Sequence, residues 1–166
     1  MHPIVNLDQL DYDTPDRPAA FAARLAPVAA RIGARQLGYR VTELAPGARA
    51  WPFHSHFANE EMFFVLEGTG VLRMGSQRLP IRSGDFIAAP TGGAESAHQI
   101  INTSDQVLRY LCVSTMIEPE VALYPDSGKF GALAGVAPGG NLALRRLNHF
   151  GHLRDAADYW EGEGAA

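Results

Sequence analysis

The stretch Pro46-Gly-Ala-Arg-Ala-Trp-Pro-Phe-His54-Ser-His56-Phe-Ala-Asn-Glu-Glu61-Met-Phe-Phe-Val-Leu-Glu-Gly68 decides how this chain folds and what it can bind. His54 and His56 are separated by one residue. On a strand, side chains two positions apart share a face, so both imidazoles project the same way. Phe57-Ala-Asn59 then lets the chain turn. A turn removes the parity constraint, so Glu61 can return to the same face from the next strand. With six His and nine Glu in 166 residues, this spacing arises by accident in roughly one in a hundred chains of such composition.

Outward from this stretch the period stays at two. Upstream, Leu37, Tyr39, Val41 and Glu43 alternate with Gly38, Arg40, Thr42 and Leu44, and Pro46-Gly47 turns the chain. Strand-like runs follow at Ala50–His56, Glu61–Leu66, Gly70–Met74, Gln77–Ile81, Asp85–Ala88, His98–Asn102 and Leu108–Thr115, with Gly, Ser, Pro and Asp breaks between them. Seven or eight short strands with turn signals predict an all-β antiparallel sandwich or barrel. His98 opens one of those runs. Three imidazoles and a carboxylate converging on a point make a transition-metal site, with His54, His56, Glu61 and His98 as its ligands. His2, His149 and His152 carry no such pattern and read as surface residues. Glu60 competes with Glu61 for the carboxylate position.

The surrounding glycines and prolines sharpen this. The stretch from Gly47 to Gly68 resembles the first motif of the cupin superfamily: Gly, a spacer, His-x-His, three or four residues, Glu, six residues, Gly. Gly84-Asp-Phe-Ile-Ala-Ala-Pro90-Thr-Gly92-Gly-Ala-Glu-Ser-Ala-His98-Gln-Ile-Ile-Asn102 resembles the second: Gly, five residues, Pro-x-Gly, two residues, His, three residues, Asn. Two spacings depart from the pattern. Six residues rather than five separate Gly47 from His54, and five rather than two separate Gly92 from His98, which implies a longer loop beside the metal. The resemblance implies a double-stranded β-helix. It also implies one divalent transition metal per chain; Mn, Fe, Ni, Co and Zn all suit three His and one Glu. The later segments Tyr124-Pro-Asp-Ser-Gly-Lys129 and Tyr159-Trp-Glu-Gly162 look like a group of small bacterial cupins, some labelled as sugar-phosphate isomerases. That label rests on fold analogy, a weak warrant for function.

The rest of the chain bounds the answer. Residues 1–34, with Pro3, Pro15, Pro18 and four early Asp, read as an N-terminal arm ending in a short helical turn before Gly33. Residues 35–117 read as the barrel. Residues 118–166 read as a long loop over Glu118–Asn141, one further strand over Asn141–Leu147, and a tail packed on the barrel. Net charge is −4 and Lys129 is the lone lysine, so nucleic acid and anionic membranes are poor partners. The lone Cys112 sits in an apolar run and reads as a buried hydrophobe. No signal peptide or long apolar run is visible, which predicts a cytoplasmic protein. Sheet edges that need cover, with Tyr12, Phe21, Tyr159 and Trp160 in the flanks, predict a homodimer.

The metal shell would carry about one net positive charge, favouring a small polar or anionic ligand. As an enzyme, the protein would polarise a substrate oxygen and move a proton (isomerase-like) or carry out oxygenation. Glu95, Tyr110 and Arg49 are the candidate catalytic residues. The alternative is a non-catalytic binding or sensing module in which the metal anchors an anionic ligand.

Overall fold

The computed structural model describes residues 2–164. Their strands are β1 (Ala23–Pro27), β2 (Leu37–Leu44), β3 (Ser55–His56), β4 (Glu61–Glu67), β5 (Thr69–Met74) and β6 (Gln77–Arg82). These are followed by β7 (Phe86–Ala89), β8 (His98–Ile101), β9 (Leu108–Thr115), β10 (Glu120–Tyr124), β11 (Lys129–Ala134) and β12 (Leu147–His152). Helix is confined to single 3-10 turns. No helix among the described residues is long and apolar enough to cross a membrane. All strand pairs are antiparallel, in sheets ordered β1-β2-β9-β4-β7, β6-β5-β8 and β12-β11-β10-β3. The result is an all-β jelly roll of the double-stranded β-helix type.

Alternation sets which side chains enter the barrel. On β4, Glu61, Phe63 and Val65 are buried while Met62, Phe64 and Leu66 are half-buried. On β9, Leu108, Tyr110 and Cys112 are buried. Residues opposite each other in a ladder share a face. Arg40 on β2 pairs with Cys112, and Cys112 pairs with Phe63. Thr42 pairs with Tyr110, which pairs with Val65, and Leu44 pairs with Leu108. With Glu61, Ser114 and Gly38 one step before them, four inward rungs therefore cross the central strands. The apolar rungs join Ile87 of the neighbouring β7 and Leu72, Ile81 and Ile100 of the β6-β5-β8 sheet in the main core.

The outer face of β2 is covered too. Val41, Ala26 and Val28 form a second cluster with Val5, Leu10, Tyr12, Tyr39 and Leu66. Asp13 pairs through its backbone with Leu25 at 2.9 and 2.8 Å. Glu43, buried on this face, accepts from Arg24 at 2.7 Å and from Arg109 Nε at 2.9 Å.

Two glycines are required where the chain changes direction. Gly68, between β4 and β5, has φ 86°, and a Cβ there would collide with the Val107 carbonyl oxygen. Gly75 opens the two-residue β5–β6 turn at φ 53°, the positive first position that a type II′ hairpin needs.

The structure corrects the reading of the C-terminal third. Glu118–Asn141 is not one loop: β10 and β11 form a hairpin there, closed by Pro125–Ser127 with Gly128 at φ 63°. The further strand runs Leu147–His152, and Leu142–Leu144 is a 3-10 turn. The alternation of Val121-Ala-Leu-Tyr124 was hidden by the prolines and glycines around it. Strand β1 also extends the main sheet beyond the expected barrel. Tyr159 and Trp160 are exposed and stack edge-on at 4.8 Å.

Candidate metal centre

Four strand ends bring the patterned residues together. His54 and His98 form an antiparallel bridge, with His98 N donating to His54 O at 2.8 Å and His54 N to His98 O at 3.2 Å. This joins the short β3 to β8. The segment Phe57–Glu60 then turns into β4, which starts at Glu61. The turn is built around Glu120 on β10, whose carboxylate accepts from the backbone N–H groups of Phe57, Ala58 and Asn59 at 3.0, 3.1 and 3.1 Å. Asn59 accepts in turn from Ile117 N and Thr115 Oγ1 at 2.7 and 3.1 Å. Glu120 and Asn59 are fully buried, so these bonds replace water and hold the turn rigidly.

The ligand atoms of His54, Glu61 and His98 lie within 4.8 Å of one another. Glu61 Oε2 is 2.9 Å from His98 Nε2 and 3.7 Å from His56 Nε2. The imidazole centroids are 4.9 Å apart for His54 and His56, and 4.8 Å apart for His54 and His98. Each Nδ1 turns outward to an acceptor: Pro52 O at 2.8 Å for His54, Glu120 Oε2 at 3.2 Å for His56, and Ser96 O at 3.3 Å for His98. Carbonyl and carboxylate oxygens accept only, so Nδ1 of His54 and of His56 donates and leaves Nε2 for the cluster, whereas His98 faces an acceptor at each ring nitrogen, Ser96 O and the Glu61 carboxylate. His56 Nε2 is buried and has no hydrogen-bond partner. The His54, Glu61 and His98 atoms could hold a metal ion; the fourth expected ligand, His56, has its orphaned Nε2 beside Glu61 but outside that 4.8 Å group.

Electrostatics at the cluster follow from crowding. Burial, then the neighbouring His98 and His56, push His54 down to about 3. Burial opposes the Glu61 charge, yet the hydrogen bond from His98 and the adjacent His56 and His54 hold its carboxyl at about 2. Burial also lowers His56, but Glu120 and Glu61 outweigh it and raise the imidazole above its ordinary value. Burial raises the Glu120 carboxyl, and bonds from His56, Asn59 and the backbone bring it below the usual range.

The cavity beside the cluster has a volume of about 20 Å³, room for one water-sized group. Its walls are Arg40, Trp51, Phe63, Gln99, Ile100, Tyr110 and Cys112, with His54, Glu61 and His98 at one side. Tyr110 is buried and its hydroxyl is driven above its ordinary value, first by burial and then by Cys112. Burial and the nearby Glu61 raise the Cys112 thiol to about 12.

Of the three candidate catalytic residues, only Tyr110 lines this cavity. Glu95 is exposed in the 3-10 turn Ala94–Ser96, and its carboxylate accepts from Gly93 N at 2.8 Å. That turn occupies the longer Gly92–His98 loop. The Arg49 guanidinium sits over Phe21 at 5.0 Å, outside the cavity walls. Glu60 is exposed, as expected of the residue Glu61 displaces. Sequence reading missed Arg40, Gln99 and Glu120. The parity of β2 could have flagged Arg40, because it alternates in phase with Thr42 and Leu44. Glu120 had no signal, lying inside what read as a loop.

Residues 40–114 match the family model described as a cupin domain. An uncharacterized protein of Methanocaldococcus jannaschii is 31% identical over 61 residues, 37% of this chain and 46% of that protein, so the match spans about half the relative's length. A sugar phosphate isomerase of a cupin superfamily from Silicibacter pomeroyi superposes with TM-score 0.75 at 23% identity, covering 93% of this chain and 95% of that one. A candidate sugar phosphate isomerase from Acidithiobacillus ferrooxidans gives TM-score 0.75 at 21% identity over the same shares. At such identity the likeness establishes a common fold.

Proposed function

We propose that this chain, whose residues 40–114 match the cupin-domain model, is a metal-dependent enzyme acting on a small, oxygen-rich or anionic molecule. His54, His56, Glu61 and His98 would hold one divalent transition metal, for which Mn, Fe, Ni, Co and Zn are suitable. The observation that carries this reading is the buried, unpartnered His56 Nε2, 3.7 Å from the Glu61 oxygen that His98 also faces. When bound, the metal supplies Lewis acidity to a substrate oxygen, the starting point for isomerase-like proton transfer or for oxygenation. Glu120, Pro52 and Ser96 hold the three imidazoles in position. Tyr110 keeps its proton at neutral pH and so can donate a hydrogen bond or a proton from Oη, but not abstract one.

A second reading is a non-catalytic binding module. It is favoured by the placement of Glu95 and Arg49 away from the cavity, which leaves no carboxylate base there besides Glu61. Metal analysis of purified wild type and His98→Ala tests the centre. One metal per wild-type chain and a large loss in the variant are expected; equal content would remove His98 from the shell. Turnover of candidate isomerase substrates by the loaded protein, lost in Tyr110→Phe with metal retained, would favour enzyme over binder.

We also propose that the protein is a cytoplasmic homodimer whose barrel spans 35–117, with 1–34 and 118–166 packed outside it. The support is the exposed apolar surface of Leu142, Leu144, Leu147, Phe150, Leu153 and Trp160 around the edge strand β12. Sedimentation giving a monomer at micromolar concentration would refute the dimer.

A further inference from the structure

Alternation along β2 points Arg40 into the barrel. It sits in the same rung as Cys112 and Phe63, where the other inward positions of β2 carry Gly38, Thr42 and Leu44. A guanidinium on an inner face loses hydration and needs a compensating partner. Arg40 is half-buried, and its polar neighbour in the rung is the Cys112 thiol, which carries no counter-charge. Its buried Nε–H has no hydrogen-bond acceptor. Among the described residues every ion pair of an arginine involves Arg24, Arg31, Arg73, Arg109 or Arg154, never Arg40. What holds it is Trp51, whose ring lies 4.6 Å from its guanidinium carbon. Trp51 is itself pinned by Arg17, which stacks at 4.0 Å and donates to Ala50 O at 2.9 Å. Two guanidiniums thus converge on one indole at the cavity wall, and the carboxylate in that wall, Glu61, is committed to the histidines.

We propose that Arg40 is the anion anchor of this cavity, binding the carboxylate of a small 2-oxo or 2-hydroxy acid whose second oxygen faces the histidine cluster. This deepens, and for the second oxygen rests on, the metal-centre reading above. The planar guanidinium fork matches a carboxylate bidentately. The repulsion between the two cations, which helps to lower Arg17 after its burial, is relieved when an anion enters. Arg49 and Arg73 are not equivalent anchors. Arg49 sits over Phe21, and Arg73 is paired bidentately with Asp126 at 2.7 and 2.8 Å.

The test is calorimetric titration of metal-loaded wild type, Arg40→Met and Arg49→Gln with pyruvate, and separately with inorganic phosphate, after measuring metal content. Pyruvate should bind wild type and Arg49→Gln alike, and bind Arg40→Met at least tenfold more weakly with metal content unchanged. Equal pyruvate affinity in Arg40→Met, no pyruvate binding to loaded wild type, or tighter binding of phosphate than pyruvate would each overturn the assignment. If wild type holds no metal, the metal-centre reading fails by itself. Arg40 is then judged on whether pyruvate raises the Tm of wild type but not of Arg40→Met. Should Arg40→Met fail to fold, Arg40→Lys, which keeps the charge but loses the fork, must also weaken pyruvate binding.

Discussion

The two ends of the barrel are built on the same strands with opposite chemistry. Read along the inner face, β4 goes from Glu61 through Phe63 to Val65, β9 from Ser114 through Cys112 and Tyr110 to Leu108, and β2 from Gly38 through Arg40 and Thr42 to Leu44. Strand β8 repeats the change from His98 to Ile100. One end is therefore polar, charged and open to a cavity; the other is closed by aliphatic side chains with almost no exposure. The period-two pattern is identical at both ends, since it reports only which side faces inward. Depth along the strand decides whether an inward position stabilises the fold or serves the site. The dry end gains free energy from burial at about 25 cal/mol per Å² of apolar surface. The polar end spends part of it on desolvating Glu61, Arg40 and the imidazoles.

Perturbations at the two ends should separate stability from binding. The largest effect is expected from Glu120→Ala, which strips His56 Nδ1, Asn59 and three backbone N–H groups of their acceptor. Loss of one member of such a buried network costs about 3–5 kcal/mol, and second partners of ligand histidines affect metal affinity by about 10–100-fold. Chemical denaturation and metal titration should both register the change; if only stability falls, Glu120 is a scaffold residue alone. Leu108→Ala, at the dry end, should cost about 2–5 kcal/mol while folded protein retains full metal content. A loss of metal there would show that the ends are coupled.

Smaller effects sharpen the contrast. Arg40→Met removes a buried, unpaired donor and should leave the denaturation midpoint equal or higher, whereas polar-to-apolar changes at the ligands should abolish metal uptake. A lowered midpoint would show that Arg40 stabilises the fold. Cys112, with its thiol raised to about 12, should resist iodoacetamide at pH 8 in the native state and react fully in denaturant; native labelling detected by mass spectrometry would mean that the polar end opens. Least of all, Glu95→Gln should change neither metal content nor ligand binding, because its carboxylate is exposed and folded back on Gly93. A change in either would return Glu95 to the site.

Local pattern was enough to reveal most strands from Leu37 to Thr115 (the Ala50–His56 run is strand only at Ser55–His56), the turns at Gly68 and Gly75, and the convergence of His54, Glu61 and His98. These follow from backbone geometry: alternation, positive φ and the parity of His-x-His act over a few residues and need no knowledge of partners. The positions of Glu120, Arg40, Glu95 and Arg49 relative to the cavity became visible only in the fold. Glu120 reaches His56 across 64 positions of chain, and no local rule connects residues that far apart. Arg40 enters the cavity because β9 lies beside β2 in one particular register. Glu95 and Arg49, equally eligible by composition, were turned away by a single turn and by the ring of Phe21. Whether a charged side chain is solvated or works inside a cavity depends on what packs around it, and packing is a property of the assembled sheets.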